Sequence, residues 1–162
     1  MKFYFIKFNI RNSILNINIK YYFLIAFILQ LLPSLILTSL NIENTNESVQ
    51  IIEQINNNII IFLFVVIIGP MFETVIFQLF LINMIKAFSE KSKYSIFLSV
   101  IIPSIAFGFS HFYNLYYIIF GFFIGLIYST TYYVSQFLRK ENGFLIVLLL
   151  HSLNNLLAFI TN

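Results

Sequence analysis

Apolar residues fall into five runs separated by short polar stretches: residues 21–40, 58–85, 94–110, 115–138 and 144–160. A helix rises 1.5 Å per residue, so about 20 apolar residues cross a hydrocarbon core of about 30 Å. The five runs therefore predict membrane helices, two of them barely long enough. The second is longer than one crossing requires and contains Gly69-Pro70, where a missing amide hydrogen and a ring clash predict a kink or a break into two shorter helices. The expected fold is all-α, a multispanning transmembrane helical bundle of about five to six helices. Residues 1–57 form an N-terminal segment of basic leader, first anchor helix and acidic loop, and residues 58–162 form the core.

The polar stretches between the runs carry the charge. The chain is 60% hydrophobic and 9% charged, with a mean hydropathy of +0.91, where a soluble domain carries roughly 25% charged residues. Lys2, Lys7, Arg11 and Lys20 precede the first run with no acid among them, and that run is too long for a signal-peptide core, so a retained anchor is expected. Glu43, Glu47 and Glu53 share the next loop with no base. Lys86, Lys91 and Lys93 follow the second run, and Arg139-Lys140 follow the fourth. Basic loops stay in the cytoplasm, which puts the N-terminus inside and the C-terminus outside a multi-pass protein of the cell membrane. Membrane lipid is thus an expected partner. Nucleic acid is not, because the basic residues lie between apolar runs instead of on one polar face. The absence of cysteine excludes thiolate chemistry and disulfides.

Helix packing accounts for several features. Gly121 and Gly125, continued by Ser129, let a neighbouring backbone approach closely. Tyr113, Tyr116 and Tyr117 at one end of the fourth run, and Tyr132 and Tyr133 near the other, read as interfacial belts. The recurrent asparagines, Asn56-Asn57-Asn58 among them, carry no mechanistic expectation.

Glu73 is the one charged residue inside a predicted span. An acid at a helix centre costs roughly 2.5–3.5 kcal/mol on insertion scales, so Glu73 should face protein or a water cavity. Both histidines also lie at or within spans, His111 at the end of the third and His151 in the fifth. Asn155 follows His151 by four residues, and His111 follows Phe107 by four, so each pair shares a helix face. A buried carboxylate can take a proton from water, a histidine can share it, and a second histidine with an amide can stabilise an oxyanion. The same Glu73, His111 and His151 could instead be three ligands of a Zn2+ ion carrying water in its fourth position. The residues alone leave both schemes open. There is no HExxH helix, no GxSxG elbow, and no Asp to build an aspartyl dyad.

The segments GPMFETVIFQ, FGFSH and HSLNN, in this order on successive apolar helices, resemble the three motifs of the CPBP family of intramembrane proteases, roughly EExxxR, FxxxH and HxxxN. That family includes CAAX prenyl-protein endopeptidases and bacterial proteins of bacteriocin processing and self-immunity. The resemblance covers about residues 58–160. It implies an endopeptidase acting on a peptide or protein substrate, in which Glu73 and His111 activate water and His151 with Asn155 stabilises the oxyanion, with Phe107 in support. In place of the family's second glutamate and its arginine the chain has Thr74 and Gln78, neighbours on one helix face that could hydrogen-bond in place of an ion pair. Two other readings accompany this one. A non-catalytic immunity or scaffold protein would keep the packing glycines without needing Glu73. A proton-coupled carrier would use Glu73 as its proton site but should show repeat symmetry, which the chain lacks.

On straight helices His111 lies roughly 25 Å from Tyr94, whereas His151 is seven residues into its run. The two meet only if helices are tilted, displaced or re-entrant. If the Thr74–Gln78 pair is a structural replacement, Thr74→Glu with Gln78→Arg should give more folded protein than either change alone. Equal yields from all three variants, measured by size-exclusion chromatography in detergent, would count against that reading.

Overall fold

The computed structural model describes residues 15–39, 57–112 and 114–161, and these contain helices and turns but no strand. Lys2, Lys7, Arg11, the three loop glutamates and Tyr113 lie outside them. Five helices follow in order: α1 (Ile19–Ser39), α2 (Asn58–Phe88), α3 (Ser95–Phe109), α4 (Leu115–Arg139) and α5 (Gly143–Thr161). Four are long and apolar enough to cross a membrane. The fifth, α3, has 15 residues, so it extends about 22 Å, short of a hydrocarbon core of about 30 Å.

Asparagine opens four of the helices. The side-chain oxygen of Asn57 accepts from the amides of Ile59 and Ile60, that of Asn114 from Tyr117, that of Asn142 from Leu145, and that of Asn18 from Lys20. The first amides of a helix have no partner within it, and a capping side chain contributes about 1 kcal/mol by supplying one. Part of the asparagine excess thus has a structural use that its bulk distribution conceals.

The expected break at Gly69-Pro70 does not occur; α2 runs through it. The helix widens to i→i−5 pairing over Leu63–Ile68 and again over Thr74–Ile82, either side of a single α-helical turn, Gly69–Glu73. The amide of Gly69 reaches the carbonyl of Phe64. The next bond in that register would join residue 70 to Val65, and proline has no hydrogen to give. Asn155 on α5 supplies it instead, its Nδ2 donating to the Val65 carbonyl at 2.9 Å. A missing backbone bond within α2 has become a bond between α2 and α5.

The closest pairing is between α3 and α4, and it is made by small residues. A Cβ on Gly108 would sit 2.8 Å from the Ile118 carbonyl oxygen and 2.9 Å from the Phe122 nitrogen. One on Gly125 would sit 3.0 Å from the backbone of Ser104 and from Phe107 Cβ. The Gly121–Gly125 stripe therefore faces α3, as its spacing predicts. Tyr132 and Tyr133 depart from the belt expectation: both are buried in the core, and the Tyr132 hydroxyl accepts from Asn83 at 2.8 Å. Tyr116 is exposed, as a belt residue should be. The first helix joins the bundle through buried Ala26 and Gln30, whose amide donates to the Leu150 carbonyl at 3.2 Å.

Gly108→Ala and Gly125→Ala should each destabilise the bundle by about 1–3 kcal/mol, since the new methyl meets backbone and not a movable side chain. Thermal unfolding in detergent measures this against Leu149→Ala on the exposed surface, which should stay within about 0.5 kcal/mol of wild type. Gly108→Ala behaving like that control would show that α3 and α4 are not in close contact.

Candidate active site

Glu73 is the middle residue of α2, which runs from Asn58 to Phe88. It is the last residue of the α-helical turn opened by Gly69-Pro70 and the first before the widened segment. Its Oε2 lies 3.6 Å from His151 Nε2. That is beyond a direct hydrogen bond but within the reach of one made through a small shift or a single water. Oε2 is sealed and has no hydrogen-bond partner, yet the Glu73 side chain as a whole is 35% exposed, so the carboxylate is closed on the histidine side and open on the other. His151 is buried, its Nδ1 also without a partner.

His111 reaches the same layer from the end of α3. Its Nδ1 lies 2.8 Å from the Phe107 carbonyl oxygen. A carbonyl can only accept, so the proton is on Nδ1 and Nε2 carries the lone pair. The ring fits against Gly121, where a Cβ would come within 3.3 Å of it. Phe107 is the wall between the two histidines, its ring centroid 4.8 Å from that of His111 and 5.8 Å from that of His151. Phe77 and Tyr128 complete the layer, at 5.4 and 5.8 Å from Phe107.

This arrangement resolves the depth conflict between the histidines. The turn from α4 to α5 is tight, with Lys140 left-handed at φ 61° and the Gln136 side chain accepting from the Gly143 amide. Gly143 abuts the Tyr132 carbonyl, and the Tyr132 side chain meets Asn83, well inside the end of α2 at Phe88. α5 therefore begins deep in the bundle, and His151 lies deeper than its seven-residue distance implies.

Two supporting residues behave differently from expectation. Thr74 and Gln78 are fully enclosed on the inward face of α2, but they do not hydrogen-bond to each other; Thr74 Oγ1 and both polar atoms of Gln78 have no partner. Asn155 shares the His151 face but commits one amide hydrogen to Val65, leaving its second available.

A zinc centre fits the donors poorly. Among the described residues no three His, Asp or Glu side chains converge as a metal site; Glu73 and His151 pair, and His111 stands across Phe107. A cavity of about 480 Å³ lies between α1 and α4 and is lined by Leu32, Phe120 and Ile127 among others, with no acid or histidine in its wall. It is not where an acid–histidine site could act. Sequence reasoning missed Tyr128, although it shares the face of Gly121 and Gly125, three residues beyond the second glycine.

The fold and the site define a multi-pass membrane protein holding a carboxylate–histidine pair at mid-depth among its helices. The family model for type II CAAX prenyl endopeptidase Rce1-like proteins matches residues 55–157, which include Glu73, Phe107, His111, His151 and Asn155. The chain belongs to this family of CAAX-type intramembrane endopeptidases. No curated protein and no solved structure matches it.

If Asn155 serves the carbonyl that Pro70 leaves open, Asn155→Ala should cost about 1 kcal/mol. The cost should fall to less than half in a Pro70→Ala background, where residue 70 regains its amide. A double-mutant cycle by thermal unfolding in detergent reads the coupling. Equal costs in both backgrounds would show that the two residues do not share the Val65 carbonyl.

Proposed function

We propose that the chain is an active intramembrane endopeptidase that hydrolyses a peptide bond with a water activated by Glu73. The observation that carries this reading is the Glu73–His151 pair, 3.6 Å apart at the middle of α2, with the carboxylate open to one side. Water on that side gives its proton to Glu73 as its oxygen attacks the peptide carbonyl carbon. His111, with its proton on Nδ1, offers Nε2 to hold that water. The oxyanion that forms is stabilised by the Nε2 hydrogen of His151 and the second amide hydrogen of Asn155 one turn along α5. Collapse of the tetrahedral intermediate breaks the carbon–nitrogen bond, and Glu73 returns the proton to the departing amine. No step is routed through a metal, because the donors do not converge as a ligand set.

The substrate class is a membrane-associated peptide presented at the depth of the site, and the biological role is bacteriocin-type peptide processing or self-immunity. The family match supports the reaction class. The role rests on the resemblance of the motif segments to a family that includes bacterial proteins of bacteriocin processing and self-immunity.

Purified protein should cleave members of a panel that sets bacteriocin-like peptides beside prenylated CAAX peptides. Glu73→Gln and His151→Ala should each lower the rate by at least about a hundredfold, and His111→Ala should lower it less. Wild-type activity should survive chelation. Loss on chelation with recovery on adding zinc would replace this mechanism with a metal-dependent one. Undiminished biological activity in all three variants would identify a non-catalytic relative.

A further inference from the structure

The family match begins at residue 55 and leaves out α1. Most of that helix faces outward, with Leu24, Ile28, Leu32 and Leu35 exposed. Gln30, near its middle, turns the other way. An amide in hydrocarbon has no water to bond and must find a partner in the protein. Gln30 is fully buried, and its Nε2 donates to the Leu150 carbonyl at 3.2 Å, 120 residues away along the chain. One turn earlier, Ala26 joins the same buried core as Val147 and Leu150. Within α5 the Leu150 carbonyl already accepts from the amide four residues on, as in any α-helix. The Gln30 bond is therefore additional and fills no deficit in α5. The carbonyl carbon it addresses is bonded to the backbone nitrogen of His151, so Gln30 holds the peptide unit that carries the His151 side chain.

In lipid there is no water to expel from between apolar helices, so their register depends on close packing and on hydrogen bonds that cross from one helix to another. Two such bonds reach α5 on either side of His151: Leu150 is held from α1 by Gln30, and Asn155 holds α2 at Val65. We infer that Gln30 is a positioning residue for His151. By holding the Leu150–His151 peptide from α1, it sets the rotation of α5 that brings His151 Nε2 to 3.6 Å from Glu73. The first helix is then part of the working site, although it lies outside the matched segment. The consequence for rate rests on the endopeptidase reading, while the placement of His151 does not.

The two histidines are preceded by Ser110 and Leu150, so carbonyl-13C leucine combined with 15N histidine marks a single peptide bond in the chain, the one that Gln30 holds. The same label gives ring-nitrogen signals from two residues, and those of His151 are the ones lost in His151→Ala. Gln30→Met removes the amide and keeps an unbranched side chain of similar length. Gln30→Asn keeps the amide but is one methylene shorter than the bond requires. In each variant the Leu150 carbonyl and His151 ring resonances should move while those of His111 stay. Ile28→Ala, on the exposed face of α1, should leave all of them in place. On a cleaved substrate Gln30→Met should lower kcat about tenfold to a hundredfold with KM within about twofold, where simple loss of packing would instead lower thermal stability and folded yield. A His151 ring signal unmoved in both variants would overturn the inference whatever the activity. Equal movement of the His111 and His151 signals would also overturn it, as a general loosening of the bundle, and so would moved signals with an unchanged kcat. Moved Leu150 and His151 signals in a protein whose wild type cleaves nothing would uphold the placement and count against the endopeptidase reading.

Discussion

Inside a bilayer a backbone amide or carbonyl cannot turn to water, and every one left open must find a partner in the protein. Pro70 removes a donor from the centre of the longest helix. The widened turn before it passes the deficit to Val65, and Asn155 fills it from α5. This one bond fixes how α5 lies along α2. His151 is one turn from Asn155 on the same face, and Glu73 is about two turns from Val65 on α2, so the tie at one end brings the acid and the histidine together at the other. Proline here is less a helix breaker than the source of an interhelical contact. The acid lies within the same turn, three residues further on.

The second constraint is the distance between α3 and α4. Gly108, Gly121 and Gly125 bring the two backbones into contact, a gain that in lipid comes from packing and not from expelling water. It also decides what α3 can present. His111 comes off the end of α3 into the space left by Gly121. Phe107, held against Gly125, then faces His111, His151, Phe77 and Tyr128 together. One aromatic ring thus separates the two histidines and keeps them in one layer.

Much of this was legible in the sequence because the solvent is so demanding. The predicted run 115–138 became Leu115–Arg139 and the run 144–160 became Gly143–Thr161, since a lipid-crossing segment tolerates few departures from apolarity. The three motif segments were legible as rare polar residues among apolar ones. What hydropathy could not show was which face of each helix turns inward, because lipid-facing and protein-facing positions are equally apolar. Tyr132 and Tyr133 therefore looked like belt residues, and Tyr128 like any other apolar-run aromatic. The cap residues Asn57, Asn114 and Asn142 were hidden differently, among many other asparagines. The depth of His151 depended on a turn set by a left-handed Lys140 and a Gln136 side chain, which no periodicity encodes.

Thr74 and Gln78 bear on the character of the site more than on whether it exists. Where the family motif carries a glutamate and an arginine, this chain seals two neutral side chains. Two of the cations are occupied elsewhere: Lys86 over Phe137, and Arg139 with Glu141 at 2.9 Å. Among the described residues Glu73 has no Lys or Arg ion pair to balance it. A second buried carboxylate without its arginine would have left two acids competing for one set of neutral donors, at several kcal/mol for the uncompensated charge. Losing both partners together avoids that penalty, whereas losing the arginine alone does not. What remains is the acid and the imidazole of His151, 3.6 Å apart. Such a set can move one proton between water, acid and imidazole without creating a second charge in the bundle, which is what hydrolysis by an activated water requires of it.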